Sequence, residues 1–212
     1  MNQMLSVNDC KQMLMFVADK IIEQKPYLTK IDAAIGDGDH GIGMEGGLKK
    51  AKAQIEQLED TDNAYQIFKT TGNAMIRSMG GASGVIFGTM FTAGAKSTAN
   101  ELGTQELAEL FAQGLEAVKQ RGKASVGDKT MVDALEPAVI AMKDHLGESL
   151  KDMLKAAEHA ALQGVENTKD LVAKFGRAKS LMERAVGHQD AGATSVWIIF
   201  SAMHEWVANN KE

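Results

Sequence analysis

The chain has little of several residue types, and each shortage narrows the class of protein. Its 212 residues include one cysteine, two prolines and 5% aromatic residues. The single cysteine, Cys10, excludes an intrachain disulfide and is typical of a reducing compartment. The scarcity of proline, together with plentiful Ala, Leu, Met, Lys and Glu, favours a mostly helical chain.

Long apolar runs and clusters of positive charge are also missing. No stretch approaches the roughly twenty apolar residues that span a bilayer, and the first residues lack the charged and apolar regions of a secretion signal. The formal net charge is −5, without the basic run that nucleic-acid-binding proteins carry. We therefore expect a cytoplasmic protein that binds neither a membrane nor nucleic acid.

One short stretch concentrates most of the chemistry. Residues 31–41 (Ile-Asp-Ala-Ala-Ile-Gly-Asp-Gly-Asp-His-Gly) hold three carboxylates, one imidazole and three glycines. Carboxylates this close repel one another, and a bound divalent cation would offset that repulsion. Mg2+ takes oxygen ligands and often shares them with phosphates, while glycines let backbone amides approach an anion. The stretch therefore predicts a metal-and-phosphate loop with Asp32, Asp37 and Asp39 as metal ligands.

Three other interpretations of this loop are a dinucleotide-binding turn, an EF-hand and a polar turn without a metal. Residues 36–41 match the Gly-x-Gly-x-x-Gly dinucleotide fingerprint, but no buried strand precedes them. An EF-hand needs a bidentate Glu at its twelfth position, where counting from Asp37 gives Leu48. A polar turn without a metal, whose aspartates accept from nearby backbone amides, is the remaining alternative.

Hydrophobic spacing predicts eight helices and no confident strand. The predicted spans are 6–24, 41–58, 62–78, 85–99, 107–118, 131–146, 150–165 and 194–209. Pro26 is expected to end the first of them. The chain has no internal repeat and no linker, so the sequence predicts one all-α domain over residues 1–212.

The glycine-rich loops follow every second predicted helix. If the helices alternate up and down, the loops 31–41, 79–84, 120–130 and 174–192 all lie at one end. Such segregation predicts a single ligand site in the loops at that end. The backbone amides of Ala82 and Ser83, at a helix start, would attract phosphate, and Arg177 and Lys129 are candidate phosphate partners.

Five motifs, taken in order, resemble the nucleotide-binding L subunits of bacterial dihydroxyacetone kinases, in the form driven by the phosphoenolpyruvate phosphotransferase system. The motifs are residues 35–41, 80–84, 121–123 with 127–131, 176–177 and 187–195. The resemblance implies an eight-helix antiparallel barrel with the nucleotide at one end and two Mg2+ ions on Asp32, Asp37 and Asp39. It also implies nucleotide contacts from His40, Gly41, Ile42, Gly43, Ala82, Ser83, Gly122, Thr130, Met131, Arg177, Asp190, Ala191 and Gly192.

The resemblance also implies an activity. In that family ADP stays bound, a phosphocarrier subunit recharges it to ATP, and the γ-phosphoryl group passes to dihydroxyacetone on a separate substrate-binding subunit. This implies a phosphotransferase in which Asp32, Asp37, Asp39 and Arg177 are catalytic. The length of the chain leaves no room for a substrate domain, which is expected of the free-standing subunit.

Two departures from the family pattern stand inside the predicted site. Gly43 occupies a position that is usually Asn, and Ala191 one that is usually Pro. The first is expected to remove a side-chain contact to nucleotide or metal, and the second to loosen the loop beside Asp190.

Two other functions stay open from the sequence. One is an ADP-loaded regulatory module that docks on a transcription regulator and catalyses nothing itself. The other is a kinase subunit for another small ketose, since substrate choice resides on the partner subunit. The sequence also leaves the oligomeric state open, a homodimer included.

Overall fold

The computed structural model describes residues 4–59 and 61–211, and this part of the chain is almost entirely helical. Its α-helices are α1 Val7–Glu23, α2 Lys25–Ile35, α3 His40–Glu56, α4 Ala64–Ser78, α5 Gly81–Thr92, α6 Thr104–Gly122, α7 Val132–Asp144, α8 Leu150–Asn167 and α9 Ala191–Asn210. Two 3-10 helices cover Thr168–Asp170 and Arg177–Ala185, and the two-residue strands β1 Leu5–Ser6 and β2 Glu101–Leu102 pair antiparallel. The predicted all-α fold is confirmed.

Eight of the helices close into a ring. Helix α1 packs on α3, each helix from α3 to α8 packs on the next, and α9 packs back on α1. Helix α2 stands outside the ring, against α3 and α9. From α3 to α9, neighbours in the ring are also neighbours in the chain and are joined by connections that return, so they run up and down alternately, as the eight-helix antiparallel barrel requires. A single apolar core fills the ring, with Phe68, Phe91, Phe111 and Phe200 among its largest fully buried side chains.

Helix α2 was not predicted. Pro26 was expected to end the first helix, but it lies in the first turn of a second one, where its missing N–H removes no hydrogen bond. The helix packs tightly on α3 at Gly41, where a Cβ atom would lie 2.4 Å from Thr29 Oγ1 and 2.5 Å from the Lys25 carbonyl oxygen. The tight packing brings the end of α2 and the start of α3 together.

Helix α5 also differs from the prediction. It runs from Gly81 to Thr92 instead of 85–99, so most of the glycine-rich 80–84 stretch belongs to its first turn. The residues between α5 and α6 are irregular apart from strand β2. The Ala99 carbonyl accepts from Ala64 N–H at 2.9 Å, which ties this connection to the start of α4 at the end of the barrel opposite the acidic loop.

The long connection between α8 and α9 folds against α2. Ile35, Ala173 and Ala185 form a small buried cluster of their own, with Ala178 and Leu181 packed around it. This cluster places the 3-10 helix 177–185 beside the acidic loop. None of the described helices combines the length and apolar character that crossing a membrane requires.

Candidate functional site

The three predicted metal ligands lie together where α2 leads into α3. Asp32 is in the last turn of α2, Asp37 is in the loop and Asp39 is the N-cap residue of α3. A carboxylate oxygen from each lies within 4.8 Å of those from the other two. Asp32 is half-buried, and Asp37 and Asp39 are exposed. The structure thus assembles the acidic cluster, meaning Asp32, Asp37 and Asp39, from one continuous stretch.

The acidic cluster is electrostatically strained. Desolvation, followed by the charge and hydrogen bond of Asp37 and the charge of Asp32, raises the pKa of Asp39, and Arg177 opposes this shift. Closely spaced carboxylates favour a bound cation, because a cation offsets their repulsion. A set of carboxylate oxygens is also the donor set that Mg2+ prefers. The residues present therefore fit a magnesium site.

Arg177 reaches the acidic cluster from the connection between α8 and α9. Its Nε donates to Asp37 Oδ2 at 2.8 Å, and its side chain is 76% exposed. Gly176, directly before it, has φ +66°, a backbone conformation that glycine adopts readily. The predicted proximity of Arg177 to the acidic loop is therefore found in the structure.

Two helix N-termini at the site receive no cap from the side chain of their own N-cap residue. Neither Asp39 at the start of α3 nor Gly80 at the start of α5 makes a side-chain cap hydrogen bond. Met79 contacts both starts, since a Cβ atom on Gly43 would lie 3.8 Å from its Cε and one on Gly84 would lie 2.6 Å from its Cβ. Ala82 and Ser83 are exposed. Their amides and those of α3 form an electropositive surface suited to phosphate.

The connection between α6 and α7 is organised by Asp133. Its carboxylate accepts from Gly127 N–H at 2.7 Å and from Thr130 N–H at 2.8 Å. Met131, next in the chain, is buried. Its Cβ lies 3.4 Å from the position of a Cβ atom on Gly192, so this connection meets the start of α9. Gly122, at the end of α6, faces Ile86 of α5, because a Cβ atom on Gly122 would lie 3.5 Å from Ile86 Cδ1.

Asp190 caps helix α9 and is firmly held. Its Oδ2 accepts from Ala193 N–H at 2.7 Å, and its own N–H donates to Thr168 Oγ1 at 3.0 Å. Burial raises the pKa of its carboxyl to about 7. Ala191 is buried as the first residue of α9. These hydrogen bonds hold Asp190 in place, and the loosening expected from alanine at position 191 stays a prediction.

His40 faces the barrel interior. Its Nε2 lies 2.8 Å from Ser195 Oγ, its ring centroid is 5.8 Å from that of Phe87, and the residue is 8% exposed. Burial lowers the pKa of the imidazole, with the Asp32 charge acting in the opposite direction. The ring therefore joins α3 to α9 and α5. Its contact with a nucleotide stays a prediction.

Comparison with known proteins assigns the chain to a family. Residues 34–205 match the model of the DAK2 domain. The chain belongs to the DAK2-domain family. It is 40% identical over 186 residues to "PEP-dependent dihydroxyacetone kinase 1, ADP-binding subunit DhaL" of Listeria innocua, covering 87% of this chain and 89% of that protein. It is 39% identical to the Escherichia coli ADP-binding subunit DhaL, covering 85% of this chain and 87% of that subunit.

Longer DAK2-domain relatives match over only part of their length. The chain is 36% identical to an L-erythrulose kinase of Pectobacterium atrosepticum, covering 87% of this chain and 32% of that enzyme. The crystal structure of the C. freundii dihydroxyacetone kinase in complex with AMP-PNP and Mg2+ superposes with a TM-score of 0.73 at 27% identity, covering 92% of this chain and 33% of that one. All these relatives are kinases or kinase subunits, and this DAK2-domain protein is a phosphotransferase.

One prediction for this DAK2 domain is wrong. Lys129 was expected to meet phosphate, but it is 2% exposed and its ammonium donates to the carbonyl oxygens of Thr168 and His188 at 2.5 Å each. Asp133 and Thr168 were missed as organising residues. Thr130 and Asp133 form a Thr-x-x-Asp capping pattern, which would have indicated the role of Asp133. No local signal indicates Thr168, whose partners are distant in the chain.

Unusual backbone conformations concentrate in the same loops. Within the described ranges, the residues with φ between +52° and +93° are Gly38, Gly81, Lys123, Gly127, Lys129, Gly176, Met182 and Gly187. All eight lie in, or directly border, the four connections at the acidic-cluster end. Positive φ is sparsely populated for the three that are not glycine, Lys123, Lys129 and Met182, and such conformations tend to collect at functional sites, where the surrounding structure holds them. This distribution sets the site end of the DAK2 domain apart from the opposite end.

Proposed function

We propose that this chain is the ADP- and Mg-binding subunit of a dihydroxyacetone kinase. It takes a phosphoryl group from a phosphocarrier subunit of the phosphotransferase system and passes it, through bound ADP and ATP, to dihydroxyacetone on a partner subunit. The observation that carries the proposal is the meeting of the acidic cluster with Arg177 beside the N-termini of α3 and α5. The names and matching length of the ADP-binding relatives support it.

The acidic cluster would hold two Mg2+ ions, which when bound offset the charge shared by the carboxylates and the nucleotide phosphates. Asp32 is anchored for this role, because its Oδ2 also accepts from His40 N–H at 3.2 Å. That hydrogen bond links the end of α2 to the start of α3. The three carboxylates are thereby fixed relative to the first turn of α3.

The protein groups around the phosphates would act by position and charge. Amides in the first turns of α3 and α5 donate to phosphate oxygens. Arg177 can exchange its bond to Asp37 for a forked bond to two phosphate oxygens, where it stabilises the charge that develops in the transition state. Because these groups position the phosphoryl group and neutralise charge, no covalent protein nucleophile is required.

The nucleoside would lie toward the other loops. Met131 meets Gly192 at the start of α9, and Gly122 faces Ile86 of α5, so we place the nucleoside beside these residues together with Thr130, Asp190 and Ala191. Gly43 leaves open space on α3, since a Cβ atom there meets only Met79 Cε at 3.8 Å. Ile42 beside it is 56% exposed, so an apolar surface borders the proposed phosphate position.

The proposed partners rest on the names of the relatives and on the share of each relative that this chain matches. The C. freundii kinase and the L-erythrulose kinase are about three times longer than the matched region. The relatives named as ADP-binding subunits match this chain over 89% and 87% of their own length. We therefore infer that a second polypeptide carries dihydroxyacetone and a third delivers the phosphoryl group. The cytoplasmic location expected from the sequence stays a prediction.

The test is to purify the chain without added nucleotide, denature it with acid and chromatograph the supernatant. Near-stoichiometric ADP, lost after dialysis of the folded protein against EDTA, supports the proposal. Asp37→Asn is the matched variant and should carry little ADP. A nucleotide-free protein that gains no thermal stability from Mg-ADP would overturn it. Turnover with the purified partner subunits then separates a kinase subunit from a purely regulatory module, which should show none.

A kinase subunit for a four-carbon ketose is the second candidate. The 36% identity to an L-erythrulose kinase favours it. Parallel assays with dihydroxyacetone and L-erythrulose, using the same partner subunits, discriminate the two. A higher kcat/KM for erythrulose would replace dihydroxyacetone in the proposal and leave the nucleotide chemistry as it is.

A further inference from the structure

Lys129 is a buried cation that the proposed chemistry does not use. It lies between α6 and α7, and its side chain ranks among the largest fully buried ones. Its ammonium donates to two backbone carbonyls, those of Thr168 and His188, at 2.5 Å each. Buried lysines are rare unless they are paired. Burial lowers the pKa of this one, while the charges of Asp190, Asp133 and Asp170 oppose the shift.

These two hydrogen bonds join three separate segments. Thr168 directly follows α8, His188 lies just before α9, and Lys129 itself belongs to the α6–α7 connection. Further bonds follow the same path, because Asp190 N–H donates to Thr168 Oγ1 at 3.0 Å and Gly187 N–H donates to the Lys169 carbonyl at 2.7 Å. The ammonium therefore lies at the junction of the loops that border α7 and α9.

The backbone of Lys129 is held in a conformation that a lysine rarely adopts. Its φ is +59°, in the left-handed region. Asp133 fixes the residues on both sides, since it accepts from Gly127 N–H and Thr130 N–H. A conformation of this kind persists only where its surroundings determine it. The chain thus directs the Lys129 side chain inward at a conformational cost.

We propose that Lys129 is a positioning residue for the nucleotide. Its ammonium fixes the distance between Thr130–Met131, which follow it directly, and Asp190–Gly192, which follow His188. This inference rests on the proposed function, which assigns both segments to the nucleotide. They already meet at Met131 and Gly192. Lys129 itself acts through the backbone and touches neither ligand nor metal.

The acidic cluster provides an internal reference for the test. Its described hydrogen bonds run within α2 and α3 and to Arg177, and none runs to Lys129. Loss of the ammonium should therefore disturb the nucleotide loops and leave the metal ligands in place. A general loss of structure would weaken both kinds of binding together.

The experiment compares Lys129→Met with wild type after removal of bound nucleotide. Calorimetry measures Mg-ADP affinity, and electron paramagnetic resonance measures Mn2+ affinity without nucleotide. We expect the Mg-ADP dissociation constant to rise roughly 10- to 100-fold, as when groups that orient ligands are removed, with Mn2+ affinity unchanged. Ile55→Ala is the control, because Ile55 is fully buried at the far end of α3. It should lower stability without changing either affinity.

Each outcome decides the inference. Unchanged Mg-ADP affinity in Lys129→Met, or an equal loss of Mg-ADP and Mn2+ affinity, overturns it and leaves the proposed function intact. Wild-type protein that binds no Mg-ADP overturns both. Lys129→Gln is made in parallel for the case that Lys129→Met does not fold. It keeps N–H donors on a shorter side chain that cannot span both carbonyls, so Mg-ADP affinity equal to wild type would again overturn the inference.

Discussion

Arg177 donates from Nε to Asp37 Oδ2 across 2.8 Å, which joins the long α8–α9 connection to the acidic cluster. The side chains are 76% and 36% exposed. An ion pair this exposed contributes little to stability, because water screens the charges and two flexible side chains must be ordered. The geometry is better explained by function. A weakly held guanidinium beside the cluster can exchange its bond to Asp37 for a bond to a phosphate with little loss of free energy.

Replacing Arg177 with methionine should therefore affect the reaction more than the fold. We expect Mg-ADP to remain bound and phosphoryl transfer to fall by roughly 10²–10³-fold, the effect of removing one preorganised charge-stabilising donor. The assay measures turnover with the partner subunits. Lys179→Met, an exposed change in the same 3-10 helix, is the control and should keep wild-type turnover. Comparable rates in the two variants would rule out a catalytic role for Arg177.

Asp39→Asn should raise the stability of the metal-free protein. It should also weaken the stabilisation that Mg-ADP provides. The neighbouring Asp37 and Asp32 charges disfavour the ionised Asp39, and Asp39 makes no side-chain cap bond that asparagine would lose. We expect the free energy of unfolding without Mg2+ to rise by roughly 0.2–1 kcal/mol, the range for exposed charge pairs. The thermal stabilisation by Mg-ADP should largely disappear.

The control for Asp39→Asn is Asp19→Asn, which removes a carboxylate that pairs with Lys52 at 2.7 Å. That change should slightly lower stability and keep the response to Mg-ADP. Melting curves with and without Mg-ADP measure both effects. A loss of stability in metal-free Asp39→Asn would show that the Asp39 carboxylate stabilises the metal-free fold more than repulsion within the acidic cluster destabilises it.

The acidic cluster could be predicted because its members are close in the chain. Three aspartates within eight residues must lie near one another whatever the fold, so their chemistry is readable locally. The grouping of the four loops at one end needed only alternation of the helices. Helix α2 was missed because Pro26 at a helix start resembles Pro26 at a helix end, and because only Leu28 and Ile35 are buried along it.

Lys129 shows what local reasoning leaves undetermined. Its residue type favours exposure, but its two acceptors lie 39 and 59 residues farther along the chain. Only the closure of the barrel brings those carbonyls to the α6–α7 connection. The same holds for Arg177 and Asp37, whose pairing depends on the small cluster of Ile35 and Ala185 that packs the 3-10 helix on α2.

Asp190 predicts a specific pH dependence of stability in the nucleotide-free protein. Its pKa is 3.8 in the unfolded chain and about 7 in the folded chain, mainly because of burial. Between these values the folded state binds more protons than the unfolded state. The contribution of this group to the free energy of unfolding therefore falls as pH rises from about 4 to about 7, by at most about 4 kcal/mol.

Asp190→Asn tests this dependence cleanly. Asparagine keeps an oxygen that can accept from Ala193 N–H, so the helix cap survives while the titration is removed. Urea unfolding at about pH 5 and about pH 8 measures the difference. The variant should lose less stability than wild type between the two conditions. The same loss in both proteins would mean that Asp190 does not titrate in this range.

Two glycines of helix α3 predict opposite effects of the same substitution. A Cβ atom on Gly41 would lie 2.5 Å from the Lys25 carbonyl and 2.8 Å from Thr29 N, both backbone atoms of α2, whereas one on Gly46 would meet nothing within 4 Å. Gly46→Ala should raise the free energy of unfolding by about 0.5–1 kcal/mol, since alanine is the better helix former. Gly41→Ala should lower it by about 1–3 kcal/mol, as overpacking does.

The same pair of variants tests how the acidic cluster is held. Gly41→Ala must move α2 away from α3, and this separates Asp32 from Asp37 and Asp39. Mn2+ affinity without nucleotide should therefore fall in Gly41→Ala and stay at the wild-type level in Gly46→Ala. Denaturant unfolding and Mn2+ titration measure the two effects independently. Destabilised Gly41→Ala protein with wild-type Mn2+ affinity would show that Asp32 is not needed to hold the ion, because the cluster would then bind metal without the tight packing of α2 on α3.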